Sequence, residues 1–150
     1  MNKLVSVITP TYNCGDYIED TIKSVIDQTY TNWEMIIVDD KSTDNTEELV
    51  KKYAESDSRI KYYRLERNSG AAVARTKAME MAKGNYMAFL DSDDLWTSNK
   101  LERQLKFMER NKINFSCTSY EQIDEKNNRL GKVIKCIPKT QARTASRYLE

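Results

Sequence analysis

Three carboxylates fall within four residues at Asp91, Asp93 and Asp94, directly behind an apolar run that ends in Phe89-Leu90. Like charges this close repel by about 1–4 kcal/mol per pair at about 4 Å unless a proton or a cation compensates them. At a solvent-facing strand end a divalent cation with oxygen ligands answers that need best, which points to chemistry on a metal-bound anion. A second acidic pair, Asp39-Asp40, ends another apolar run, Ile36-Ile37-Val38. In open α/β sheets ligands bind beyond the carboxyl ends of the strands, so both acidic ends are expected to serve one crevice. The chain contains no histidine, which removes the commonest general base and any Ser-His-Asp arrangement. Carboxylates, cations, hydroxyls and a metal are left to do the work.

The elements that must position these groups read as alternating strands and helices, the sequence form of βαβ units around a mostly parallel central sheet. Leu4–Thr9 reads as the first strand, ended by Pro10, and Ile18, Ile22, Val25 and Ile26 then recur at helical spacing. Trp33–Val38 reads as the second strand. Asp44 and Glu47 have the spacing of a capping box, opening a helix with Leu49, Val50 and Tyr53 inward. Ile60–Leu65 is the third strand. The alanine-rich stretch Gly70–Lys83 predicts a helix, with Gly84 as its left-handed C-terminal cap. Tyr86–Leu90 is the fourth strand. Beyond it, a helix with Leu101, Leu105 and Met108 on one face is followed by a strand pair, Phe115–Ile123 and Leu130–Ile137, around a polar turn.

Bulk properties narrow the function classes. A length of 150 residues with 39% hydrophobic content suits one domain with a proper core. Lys and Arg number 24 against 23 Asp and Glu, so no global field draws the chain onto nucleic acid. Cys14, Cys117 and Cys136 are odd in number and widely spaced, which predicts unpaired thiols, no zinc site and a reducing cytosol. No stretch approaches the ~20 apolar residues of a membrane span. From Lys126 onward seven basic residues face one acid, a composition suited to solvated surface or to peripheral contact with an anionic leaflet. The last dozen residues lack apolar periodicity and are expected to pack poorly.

Five segments in order now carry a resemblance. They are Val5-Ser6-Val7-Ile8-Thr9-Pro10-Thr11-Tyr12-Asn13, Ser24-Val25-Ile26-Asp27-Gln28-Thr29-Tyr30, Ile37-Val38-Asp39-Asp40-Lys41-Ser42-Thr43-Asp44, Asn68-x-Gly70, and Gly84-x-Tyr86 leading to Leu90-Asp91-Ser92-Asp93-Asp94. Their order and spacing over residues 3–125 resemble the nucleotide-sugar half of glycosyltransferase family 2. That resemblance implies the GT-A fold, a Rossmann-like three-layer α/β/α sandwich, with residues 1–125 as the donor-binding core and 126–150 as the start of an acceptor-side region.

It further implies metal-dependent, inverting transfer of a sugar from a nucleotide diphosphate sugar, a UDP-sugar above all, to a hydroxyl of an acceptor glycan or lipid-linked saccharide in bacterial-type polysaccharide or glycolipid synthesis. The expected location is cytoplasmic, with peripheral contact at the inner membrane face. Donor-binding residues carried over by the resemblance are Thr9, Pro10, Thr11, Tyr12, Asn13, Asp40, Asn68, Gly70, Arg75, Asp91 and Ser92. Tyr12 would stack on the base and Asp40 would accept the uracil imide N–H. Asp93 would bind Mn2+ or Mg2+, with Asp91 as a second ligand or a partner of ribose. Arg75 either meets phosphate or pairs with an acid, and Asp39, Asp44 and Asp94 suit turn and cap roles as well as chemistry. Met79 and Met81 read as packing, and Cys14 receives no chemical role.

Family members run past 200 residues, and no residue after Glu125 resembles their general base, so the chain is expected to carry the donor half alone. Three other readings share features with it. A non-catalytic nucleotide-sugar-binding module would need only that half. A nucleotidyltransferase would have a glycine-rich basic loop where this chain has Pro10-Thr11-Tyr12-Asn13-Cys14-Gly15. A haloacid-dehalogenase-like phosphatase would carry its Asp-x-Asp on the first strand.

Overall fold

The computed structural model describes residues 3–136, so the expectations for Ile137 and for the last dozen residues lie outside it. Two compact units divide between Asn99 and Lys100. The first holds β1 (Val5–Thr11), α1 (Ile18–Ile26), β2 (Trp33–Asp39), α2 (Thr46–Ser56), β3 (Ile60–Arg64), α3 (Ala71–Met81) and β4 (Tyr86–Phe89). All its strand pairs are parallel, in the order β3-β2-β1-β4.

Right-handed crossovers decide the layers. The chain steps from β1 to β2 to β3 in one direction, which puts α1 and α2 on one face; it then returns past β1 to β4, which puts α3 on the other. Every residue of β1 and β2 is buried, as expected of a sheet covered on both sides. Ile8, Ile36 and Val38 pack with Ala74 and Ala78 of α3, whose small side chains let the helix lie close. Met81 packs against this cluster, whereas Met79 is exposed. Alternation puts Val7, Met35 and Ile37 on the opposite face, where they are equally buried.

Three local expectations are corrected. Pro10 does not end β1, which runs on to Thr11 paired with Asp39. β4 pairs only as far as Ile8, with Leu90 N–H reaching the Ile8 carbonyl, so Pro10 directs its missing donor to a side where the neighbour has already stopped. Gly84 is not a left-handed cap, since positive φ among the glycines belongs to Gly70 and Gly131. It is glycine because a Cβ there would lie 2.6 Å from the Ser6 nitrogen and 2.8 Å from the Leu4 carbonyl oxygen. The same approach lets Gly84 N–H donate to Ser6 Oγ at 2.8 Å while Ser6 Oγ and Lys83 N–H both donate to buried Glu34 at 2.7 Å. Against the burial that would raise it, these bonds and Lys61 hold the Glu34 carboxyl below the usual carboxylate range.

The box at α2 is also only half realised. Asp44 accepts Thr46 N–H at 3.1 Å, but Glu47 turns to Lys51 and Arg64 rather than back to the helix start.

The second unit contains α4 (Lys100–Asn111), which buries Leu101, Leu105 and Met108 as its spacing predicts. The antiparallel strands β5 (Tyr120–Ile123) and β6 (Arg129–Ile134) follow, shorter than expected. Cys117 and Cys136 are joined in a disulfide, which corrects the expectation of free thiols. The hairpin brings together two positions that the linear spacing keeps 19 residues apart, and the argument for a reducing compartment that rested on unpaired thiols falls with it. Cys14 is free. No helix among the described residues is long and apolar enough to cross a membrane.

Candidate functional site

The chain leaves β1 toward β2 on one side and reaches β4, on the other side of β1, only by returning from β3, so a crevice opens beyond the carboxyl ends of β1 and β4. A cleft of about 410 Å³ lies there, in the size range of a small-molecule site. It is lined by Pro10, Thr11 and Tyr12 after β1, Asp40 after β2, Asn68, Gly70, Ala71 and Arg75 at the start of α3, and Asp91, Ser92 and Asp93 after β4. The two acidic strand ends therefore meet in one place. Thr9 and Asn13, expected with them, lie off the lining. Thr9 is fully buried in β1, and Asn13 fastens loops, its N–H donating to Ser42 Oγ at 2.9 Å and its Oδ1 accepting Thr43 N–H at 2.8 Å.

Asp39 and Asp40 divide their tasks by strand alternation. Asp39 points into the protein, where it accepts Ser42 N–H and Oγ at 2.8 and 2.6 Å and the Tyr62 hydroxyl at 2.6 Å. Burial first, and then this bond to Asp39, push the Tyr62 hydroxyl far above its ordinary range. Asp40 faces the cleft, and its two oxygens accept Ser69 N–H and Gly70 N–H at 2.7 Å each. The carboxylate thereby folds the Asn68–Gly70 loop over itself and keeps a second lone pair on each oxygen. Gly70 has φ 90° and ψ 154°, a conformation essentially confined to glycine. No side chain caps α3 behind it, so the helix start presents backbone N–H groups and the positive end of its dipole to the cleft. Ala71, the first helical residue, was not singled out by sequence; the signal was its position directly after Gly70 with no capping side chain.

The acids after β4 are treated differently. Asp91 pairs with Arg75 at 2.8 Å, an acid partner of the kind expected for Arg75 as one of its two roles. No hydrogen-bond donor reaches the Asp93 or Asp94 carboxylates among the described residues. Burial, then the charges of Asp93 and Asp91, push the Asp94 carboxyl up. The cluster thus carries negative charge that the protein itself leaves uncompensated. Tyr12, 47% exposed, offers a flat ring at the rim.

Carboxylate oxygens are the donors that Mg2+ or Mn2+ takes, so the residue types fit such a cation. Among the described residues no group of three or more His, Cys, Asp or Glu is gathered as a ready cage, so a cation here would draw further ligands from water and a bound anion.

The pattern named "Glycosyl transferase family 2" matches residues 6–149. TuaG of Bacillus subtilis (strain 168), a glycosyltransferase named for teichuronic acid biosynthesis, is 56% identical over 131 residues, covering 87% of this chain and 52% of TuaG. The UDP-Glc:alpha-D-GlcNAc-diphosphoundecaprenol beta-1,3-glucosyltransferase WfgD of Escherichia coli is 47% identical over 131 residues, covering 87% of this chain and 51% of WfgD. The chain spans about half the length of these curated relatives. Among solved structures, S. aureus TarS 1-349 in complex with UDP superposes with a TM-score of 0.76 at 29% identity, over 93% of this chain and 39% of that one. The mannosyltransferase PcManGT of Pyrobaculum calidifontis in complex with GDP-Man and Mn2+ gives 0.73 at 26% identity, over 81% and 36%.

Proposed function

The chain belongs to glycosyltransferase family 2, with the α/β GT-A fold, and from that membership we propose that its cleft binds the nucleotide diphosphate part of a UDP-sugar together with a divalent cation. One observation carries the reading: groups suited to a base, to phosphates and to a cation converge on a single crevice from the ends of β1, β2 and β4 and the start of α3. Tyr12 stacks on the base, and Asp40 uses its remaining lone pairs to accept an imide N–H, which adenine lacks. The uncapped start of α3 and Arg75 face the diphosphate. Asp93 holds Mn2+ or Mg2+, with Asp91 beside it. When bound, such a cation screens the negative charge that builds on a departing diphosphate.

The acceptor side lies with the whole protein. TuaG is named for teichuronic acid and WfgD for a diphosphoundecaprenol-linked acceptor, and these names support transfer to a hydroxyl of a bacterial polysaccharide or lipid-linked saccharide, with inversion. Peripheral contact with the membrane face that presents such an acceptor belongs to the same proposal.

Calorimetry of UDP with and without Mn2+, on the chain and on Asp93→Asn, tests the donor site. The expected result is Mn2+-dependent binding that the variant weakens by about 100-fold, the upper end of effects seen at metal sites. Equal affinity in both proteins removes the metal role of Asp93. Binding of ADP as tight as UDP removes the base role of Asp40.

A further inference from the structure

The segment Ser24-Val25-Ile26-Asp27-Gln28-Thr29-Tyr30 is one of the five that carry the resemblance, yet none of its residues lines the cleft. Its place in the structure gives it a task. Residues 91–99, which carry the acids, form neither helix nor strand, so no ladder of their own fixes them. Their polar groups are instead bonded, one after another, to the α1 side of the molecule.

Thr21 Oγ1, fully buried in α1, donates to the Ser92 carbonyl at 2.9 Å. Ser24 Oγ accepts Trp96 N–H at 3.3 Å and donates back to the Thr21 carbonyl at 2.7 Å. Gln28 Nε2 bridges the Thr97 carbonyl at 2.8 Å and the Ser24 carbonyl at 2.9 Å. Thr29 N–H donates to the Ser98 carbonyl at 2.8 Å. Thr21, Ser24 and Gln28 stand at i, i+3 and i+7, a single polar stripe along one helix face and its extension. Ser92 is held a second time, its Oγ donating to Cys14 Sγ at 3.0 Å.

We infer that this stripe is a positioning device: Thr21, Ser24 and Gln28 fix the backbone on both sides of Asp93 and so set where the cation binds, without touching it. Ser92 is gripped one residue before Asp93, and Trp96 to Ser98 are gripped three to five residues after it. The span between is short enough that the Asp93 carboxylate inherits its place from those anchors. The inference rests on the donor-site reading given above, because it needs Asp93 to hold the cation.

The test titrates Mn2+ at fixed UDP and reads the Mn2+ concentration that half-saturates binding, with thermal unfolding recorded on each protein. Thr21→Val keeps the shape and removes the hydroxyl; it should raise that concentration about 10-fold, the scale of losses when groups behind metal ligands are removed. Thr21→Ser restores the donor and should return it to within about 2-fold of the starting chain. Val50→Ala, a core truncation in α2 away from the loop, lowers the melting temperature and should leave the Mn2+ requirement where it was.

A folded Thr21→Val with an unshifted Mn2+ requirement overturns the inference, as does a shift of the same size in Val50→Ala. If Thr21→Val does not fold, Ser24→Ala decides by the same measurement: an increased requirement supports the inference and an unchanged one overturns it. A starting chain that binds UDP with no Mn2+ requirement removes the donor-site reading itself, before any variant is made.

Discussion

The two acidic strand ends of this molecule are built on opposite principles. Behind β2, every carboxylate oxygen is already bonded by the protein: Asp39 by Ser42 and Tyr62, and Asp40 by the backbone of Ser69 and Gly70, with one lone pair left on each Asp40 oxygen. Behind β4, Asp91 has Arg75, while Asp93 and Asp94 receive no donor among the described residues. A buried carboxylate must be satisfied by its own fold, or the desolvation cost is carried in every state of the protein. A carboxylate left exposed and crowded costs little while water screens it, and it keeps its lone pairs for something that arrives from solution. The comparison teaches that the β2 end first shapes the cleft and offers only the lone pairs Asp40 has left, whereas the β4 end holds its carboxylates open for what arrives.

Breaking the saturated end should have the largest effect. Asp39→Ala leaves the Tyr62 hydroxyl, the Ser42 hydroxyl and the nearby Arg64 guanidinium without their buried acceptor. Loss of one side of a buried charged network costs about 3–5 kcal/mol, and urea unfolding should show that loss with the m-value unchanged. A loss below about 1 kcal/mol would mean that Asp39 is no more structural than its exposed counterparts, and the contrast between the two ends would vanish.

Much of this arrangement is legible in sequence, and what is not has a common cause. Apolar runs ending on acids, helical spacing between them and the order of five short segments give the sheet, its helices and a cleft with Asp40 and Asp93 on it. The misreadings concern groups whose roles depend on distant chain. Pro10 looks like a terminator because nothing local says that β4 will stop at Phe89. Gly84 follows a helix and reads as its cap, while its real constraint is the backbone at Leu4 and Ser6, about 80 residues away in sequence. Cys117 and Cys136 look unrelated until a hairpin folds them together. Thr21, Ser24 and Gln28 escape a search for periodic apolar residues because their stripe is polar, although its spacing is equally helical.

Gly70 sharpens the comparison at the joint between shape and offer, with a smaller effect. Alanine there meets no atom within 4 Å, so any cost comes from φ of 90° rather than from crowding. Strain of about 1–2 kcal/mol is expected from a side chain in that region. The loop can relieve it only by pulling Gly70 N–H away from Asp40. Gly70→Ala should therefore lose stability by that amount and also weaken UDP in calorimetry, whereas a purely local strain would lower the melting temperature and leave affinity alone.

The smallest effect tests the unsaturated end directly. Burial and the charges of Asp93 and Asp91 raise the Asp94 carboxyl, so the folded chain holds that proton more tightly than the unfolded chain does. Between the ordinary carboxylate range and the raised value the native state binds more protons, and stability contributed by Asp94 falls as the pH rises through that window. Glu34, held low by its hydrogen bonds, has the opposite sign: its contribution is present above the ordinary range and is lost as the pH falls through its depressed value. Asp94→Asn should erase the falling limb and leave the Glu34 limb intact in unfolding curves taken from acid to neutral pH. At neutral pH without Mn2+ it should gain roughly a few tenths of a kcal/mol, because an exposed charge is well screened. A loss instead of a gain would mean that Asp94 is already saturated as Asp39 is, and that the two strand ends are alike after all.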